Sequence, residues 1–271
     1  MPRNIASNML PSRAITAPPL PAWLEYSTVN DHRGSRYTVI IDRQDSDNSR
    51  EFKYGRFRED WFERRFTHAC MSVPCKSSVV LDVGANVGTH TMFLARHLAR
   101  QVWAFEPQRQ IFQRLVTHTL LNGLTNVWPL NVALAHQQKP MQMIKEQTDS
   151  SKKLVDRTEE DVLDLDGVDT EIVMALSLDE VWSAQGKPRV ALVKVDVDGN
   201  EISMLKGANK MLQTMRPIIF YQDRVPANLT TIFLQTVGYC PQLMKSNVWL
   251  KWEFVAKPCR SVHADGAEVY Y

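Results

Sequence analysis

Short apolar runs alternate with longer amphipathic stretches along most of this chain, and from residue 76 onward the alternation is regular. The apolar runs predict strands at Ser78–Val83, Val102–Phe105, Val127–Ala133, Ile172–Ser177, Val190–Val195 and Pro217–Tyr221. Between them, apolar residues spaced by three and four predict helices at Thr89–Leu98, Arg109–Leu121, from Leu178 onward, at Glu201–Thr214 and at Thr230–Val237. Asn122-Gly123 and Gly238 are stop signals for two of these helices. Val190–Val195 is apolar at nearly every position, as suits a central parallel strand covered on both faces. Asn247–Val255 reads as a terminal strand, antiparallel to its neighbours. Strand and helix in strict alternation predict an α/β, doubly wound, mostly parallel sheet.

The first part of the chain is patterned differently. Residues 1–22 are Pro-rich and aperiodic, and read as a flexible arm. In 23–75, Tyr37–Asp42 reads as a strand, Asn30–Gly34 and Asp45–Asn48 as turns, and Asp60–Met71 as a helix. This segment is expected to form a small cap or edge hairpin on a main domain spanning 76–271. Residues 136–170 are polar, with a charge-rich run from Asp149 to Asp169, and predict a hairpin followed by a loose loop.

Composition narrows the classes. A chain of 271 residues with 44% hydrophobic content can bury one sizeable core. A net charge of +2 is too small to predict nucleic-acid binding, and its excess is local: residues 1–80 carry 12 Lys and Arg against 9 Asp and Glu. Within that part, Arg56–Arg65 interleaves bases with Trp61 and Phe62. The segment suits an acidic or glycan partner, or else an amphipathic helix with Trp61, Phe62 and Phe66 inward and its charges solvated, which is the commoner outcome. Cys70, Cys75, Cys240 and Cys259 lack the Cys-x-x-Cys spacing of a zinc or redox site and read as free thiols in a reducing compartment. No secretory signal stands at the N-terminus, and no run approaches the roughly 18 apolar residues of a membrane span. The expectation is a soluble, cytoplasmic chain, in which the glycosylation match at Asn228-Leu229-Thr230 is fortuitous.

The chemistry concentrates at two strand ends. The first is Asp82-Val-Gly84-Ala85-Asn86-Val-Gly88, followed at the end of the next strand by Glu106-Pro107. Gly84 and Gly88 permit a tight turn and close approach of backbone to a ligand. The middle glycine of a dinucleotide fingerprint is missing and an acid precedes the loop, which disfavours a pyrophosphate. S-adenosylmethionine carries an ammonium, a sulfonium and a ribose but no phosphate, and suits this charge. Glu106 is placed to accept the ribose hydroxyls, and adenine is expected near Asn131–Ala133. The second cluster is Lys194-Val-Asp196-Val-Asp198-Gly199-Asn200-Glu201. Continued strand alternation would put Lys194, Asp196 and Asp198 on one side of the chain, facing the same crevice. Asp196 and Asp198 read as functional, Lys194 as a charge partner and Glu201 as a helix cap.

These two clusters, with Leu176-Ser-Leu-Asp179 and Met204-Leu-Lys-Gly207-Ala208, resemble the ordered motif set of the FkbM-type methyltransferases over roughly residues 78–223. The resemblance implies a seven-stranded class I methyltransferase fold with an antiparallel last strand, and O-methyl transfer from S-adenosylmethionine. It implies that Asp82, Gly84, Asn86 and Gly88 line the methionine part of the cofactor and that Glu106 takes the ribose. Two positions depart from the family. Asp198 stands where Glu is usual, and Tyr221-Gln222-Asp223 displaces the usual acid at the end of the fifth strand.

A base near the methyl would help the acceptor lose its proton; Asp196 is the first choice, Asp198 the second and His90 the third. A divalent metal between Asp196 or Asp198 and Asp223 is conceivable, but no metal is assigned. The acceptor is expected to be a hydroxyl of a small molecule, sugar or glycan, with an RNA cap or ribose 2′-hydroxyl as the alternative. A non-catalytic scaffold ranks third and a nicotinamide enzyme fourth. The pattern leaves the oligomeric state open.

Overall fold

Apolar β-branched runs become the strands of the central sheet, and their order fixes where a ligand can sit. The structure, a computed structural model, describes residues 20–43, 52, 55–57, 60–145, 152–155, 170–224, 229–246, 251–259, 261–262 and 268–269. The chain opens with β1 (Leu24–Asn30), β2 (Arg36–Asp42) and α1 (Asp60–Ala69). It continues through β3 (Val79–Val83), α2 (Thr89–His97), β4 (Gln101–Phe105), α3 (Arg109–Leu121) and β5 (Val127–Leu130). Then come β6 (Ala133–Leu134), β7 (Lys139–Lys145), β8 (Lys152–Val155), β9 (Thr170–Leu176), α4 (Leu178–Ala184) and β10 (Val190–Val195). The last part holds α5 (Glu201–Lys206), α6 (Asn209–Met215), β11 (Ile218–Arg224), α7 (Leu229–Thr236), β12 (Tyr239–Ser246), β13 (Lys251–Pro258), β14 (Ser261–Val262) and β15 (Glu268–Val269).

The main sheet has seven strands in the order β12-β13-β11-β10-β3-β4-β5. The five strands from β11 to β5 are parallel, and β13 runs antiparallel between β11 and β12. The chain leaves β3 outward to β4 and β5, then returns to lay β10 on the other side of β3. That reversal opens a crevice at the carboxyl ends of β3 and β10. One face of the sheet shares a core with α1, α2 and the N-terminal hairpin through Val80, Phe66, Phe93, Tyr37 and Phe220. The other is covered by α4 to α7 through Leu178, Met204, Met211 and Leu234. Both faces of β3 and β10 are therefore buried, which is why those strands are apolar almost throughout.

Several sequence expectations shift by local physics. The run Val127–Ala133 is cut after Leu130, and β6 joins a separate four-stranded sheet, β6-β9-β7-β8. The predicted helix Glu201–Thr214 is broken at Gly207, whose missing Cβ lets the helix come up to the Ala135 carbonyl. The terminal strand falls at Lys251–Pro258, preceded by β12, which the pattern did not reveal. The N-terminal segment forms a hairpin of its own, β1 with β2, with an isolated bridge from Asn30 to Arg56, and is not an edge of the main sheet. The expected arm, the turn at Asp45–Asn48, most of the charge-rich run Asp149–Asp169 and Asn228 lie outside the described residues.

The cysteines overturn an expectation. Cys70 is bonded to Cys75 and Cys240 to Cys259, so no cysteine is free. Sequence spacing could not show this, because the second pair is brought together by the β12–β13 register across 19 residues. The cysteines therefore give no support for a reducing compartment. Among the described residues, no helix is long and apolar enough to cross a membrane.

Candidate active site

The loop between β3 and α2 hangs on the end of β4. The Gly84 and Ala85 amides both donate to the Phe105 carbonyl, at 3.0 and 2.9 Å. Gly84 has φ 74°, and a Cβ there would be driven into the Asp196 carbonyl, so the turn and the end of β10 touch backbone to backbone. Gly88 has φ 92° and a Cβ would meet Leu115 Cδ1 at 2.6 Å. Gly84 is thus required by its contact with the end of β10, and Gly88 by its packing against Leu115 of α3. Asn86 also has positive φ, and its Oδ1 accepts from the Val87 amide at 2.8 Å.

Charged side chains brace this loop from below. Asp82, fully buried, accepts from the Thr91 hydroxyl at 2.6 Å and pairs with Lys194 Nζ at 3.1 Å. Lys194 Nζ also donates to the Gly84 carbonyl at 2.7 Å and stands 4.0 Å from Asp196 Oδ2. Parallel register puts Lys194 beside Asp82, so the pair follows from the β3–β10 alignment. Lys194 thus acts as the charge partner expected of it, and in addition pins the loop. Thr91 had no signal in the sequence beyond its place one turn into α2.

Glu106 is buried at the end of β4, with Oε2 accepting from the Asn86 amide at 3.0 Å and Oε1 from the Gln108 amide at 2.9 Å. Burial pushes its pKa up to about 7, against the pull of the Gln108 and Asn86 amides and of Lys194. Each carboxylate oxygen keeps a further lone pair for a ligand hydroxyl. Asn131 is exposed and donates to the carbonyls of Glu106 and Pro107, both at 2.9 Å, so its amide braces the β4–α3 turn. Ala133 is buried in the small sheet, in register with Ala175.

The Asp196 side chain is 31% exposed at the mouth of the crevice. Strand alternation stops at Val195, and Asp198 sits in a turn with φ 50°, followed by Gly199 at 104°. The single row of Lys194, Asp196 and Asp198 is therefore corrected: Lys194 and Asp196 come together, while Asp198 belongs to the turn. Glu201 opens α5 and accepts from the Gly199 amide at 3.0 Å, in the turn before the helix, its pKa raised by burial; the N-cap position is Asn200, with no side-chain cap bond. His90 packs edge-on between Phe62 and Phe66, with centroids at 5.3 and 5.4 Å, on the face of α2 that meets α1. Asp223 falls on β11, opposite Trp252; its side chain is outside the described set. Among the described residues, no group of His, Cys, Asp and Glu has metal-holding geometry.

The aromatic, basic segment resolves as the amphipathic helix. Phe62 and Phe66 are buried, Trp61 stacks on Phe62, and Arg64 and Arg65 stay exposed. One charge departs from that scheme: Glu63 is fully buried and takes the His32 amide and Nδ1, both at 2.9 Å.

Residues 82–236 match the Methyltransferase FkbM domain. The chain belongs to this family. The matched span runs from the acid that opens the glycine loop to the end of α7, and leaves the N-terminal hairpin and the β12–β13 pair outside. Among curated proteins, the chain is similar to the hexuronic acid methyltransferase AglP of Haloferax volcanii, with 29% identity over 144 residues. That alignment covers 53% of this chain and 55% of AglP, so the chain spans about half the length of this relative. Similar solved structures include the FkbM methyltransferase of Methylobacillus flagellatus, with a TM-score of 0.48 and 16% identity over 67% of this chain and 44% of that one. Another is TYW2 of M. jannaschii in complex with AdoMet, with a TM-score of 0.46 and 17% identity over 86% and 85% of the two chains.

Proposed function

We propose that the chain is an S-adenosylmethionine-dependent O-methyltransferase acting on a hydroxyl of a small molecule, sugar or glycan. The observation that carries this reading is the charge at the crevice of an FkbM-family domain. Three acids, Asp82, Glu106 and Asp196, meet one lysine there, around a loop with no pyrophosphate signature. That donor set fits a ligand with a cationic amino-acid end and a neutral ribose. Gly84 and its neighbours would hold the methionine part, and Glu106 the ribose hydroxyls. When bound, the cofactor supplies an electrophilic methyl on a sulfonium.

The chain's own residues then have distinct tasks. Lys194 and Asp82 keep the loop in one geometry, so a bound ligand is oriented without rearrangement. Asp196, half in solvent, is the group best placed to accept the acceptor's proton. Lys194 Nζ stands 4.0 Å from its Oδ2, at the limit of ion-pair reach. AglP, by its name, acts on a hexuronic acid, which supports a sugar as acceptor.

Titration calorimetry with S-adenosylmethionine, its demethylated product and NAD tests the cofactor. Heat from the first two and none from NAD is expected; no heat from either of the first two overturns the reading. Label transfer from methyl-labelled cofactor to a panel of uronic acids, neutral sugars and RNA then tests the acceptor.

A further inference from the structure

The free edge of β2 is closed by a helix, and the same contact reaches the cofactor loop. One edge of β2 pairs with β1; on the other, the Ile40 amide donates to His118 Nε2 at 2.9 Å and the Thr38 amide to Asn122 Oδ1 at 2.9 Å. Asn122 Nδ2 returns a bond to the Thr38 carbonyl at 2.8 Å. The fit is geometric. Residues four apart on a helix rise about 6 Å, and residues two apart on a strand about 6.8 Å, so one face of α3 matches one edge of β2.

His118 also turns toward the site. It is fully buried, and its Nδ1 lies 2.7 Å from the Val87 carbonyl, inside the glycine loop. A backbone amide can only donate, so Nε2 is the acceptor and Nδ1 carries the proton to Val87. Burial drives the His118 pKa down to about 4, against the pull of the Val87 carbonyl, and Arg114 lowers it further. The ring is therefore neutral at working pH and the tie is permanent. The Val87 peptide is gripped on both sides, by Asn86 Oδ1 at its amide and His118 at its carbonyl.

We propose that His118 is a positioning residue for the cofactor loop, joining that loop to the N-terminal hairpin that lies outside the family-matched span. The inference rests on the proposed reading of the loop as the S-adenosylmethionine site. A core histidine that merely docks the hairpin would need only the bond to Ile40. The bond to Val87 adds a direct hold on the segment between Asn86 and Gly88.

The two ring nitrogens can be separated by substitution. In H118N the amide stands near the Nδ1 position and keeps the donor to Val87; in H118Q it reaches the Nε2 position and keeps Ile40. Three quantities are read: the dissociation constant for S-adenosylhomocysteine, amide exchange of residues 85–89 in the ligand-free protein, and Tm. H118Q is expected to weaken binding about fivefold to tenfold and to speed exchange across 85–89. H118N should hold both within about twofold while lowering Tm, as should N122A, which loosens the hairpin without touching Val87. Should H118Q not fold, H118M, apolar and of similar bulk, carries the same comparison. Affinity that follows Tm equally in all variants, or unchanged loop exchange in H118Q, overturns the proposal. If the wild-type protein takes up no S-adenosylhomocysteine, the cofactor reading fails, and loop exchange alone still decides the role of His118.

Discussion

Glu106 shows how one side chain can brace a loop and still keep lone pairs to offer a ligand. Its carboxylate holds Asn86 and Gln108 by their amides, and burial lifts its pKa from 4.5 to about 7. In the unfolded chain it ionises near the ordinary value, so the folded state binds the extra proton between about pH 4.5 and 7. Its contribution to stability is thus present below 4.5 and lost as pH rises through 7. Ribose hydroxyls donate to the charged form, so cofactor binding should go the other way, weakening as pH falls below about 7. Calorimetry between pH 5.5 and 8.5 would show this slope, and in E106A it should vanish, with affinity about 1.5–3 kcal/mol weaker above pH 7 and the gap narrowing below it. Asp196 is expected to behave differently. D196N should leave cofactor affinity nearly intact while cutting turnover; unchanged turnover would place the base elsewhere. Glu106 was legible in the sequence because it ends a strand after a glycine loop. Its grip on the loop was not, since backbone partners carry no residue signature.

At the scale of elements, the site is a contact between two strand ends. Gly84 is needed because the Asp196 carbonyl occupies the space of a Cβ, and its φ of 74° adds strain for any other residue. G84A is therefore expected to cost about 3 kcal/mol or more and to abolish S-adenosylhomocysteine binding, as a thermal shift with and without ligand would show. The strands β3 and β10 were readable as apolar runs, and so was the helix Arg109–Leu121. The break of the last long helix at Gly207 was not. Periodicity runs through that glycine undisturbed; the Ala135 carbonyl comes up to Gly207 there, and the Asp179 carboxylate takes the Lys210 and Met211 amides that open the next helix. The expected alternation through Asp198 failed for a related reason: alternation describes a strand, and the strand had ended at Val195.

For the molecule as a whole, the two disulfides tie the periphery to the sheet. Cys70–Cys75 joins the end of α1 to the lead-in of β3, and Cys240–Cys259 joins β12 to the residue after β13. Alkylation of the native protein without reductant should label no cysteine, and intact mass should rise by the matching increments only after reduction. The cross-linked spans are 5 and 19 residues. Loop-closure entropy then predicts a loss of about 2 kcal/mol for C70S/C75S and about 3 kcal/mol for C240S/C259S. Equal labelling with and without reductant would show that the thiols are free.

The sequence by itself determined the α/β alternation, the family and the glycine loop that ends the first strand of the main sheet. Strand period, helix period and an unusual glycine spacing are local properties, and all three survive without knowledge of the fold. Only the tertiary structure decided which of these residues touch. Sheet register set Lys194 beside Asp82 across 112 residues and brought Cys240 to Cys259. Helix–strand docking brought His118 of α3 to Ile40 and Val87, turning a buried histidine with no motif around it into a hold on the loop. These contacts join residues far apart in the chain, and their energies depend on burial and alignment that no run of adjacent residues encodes.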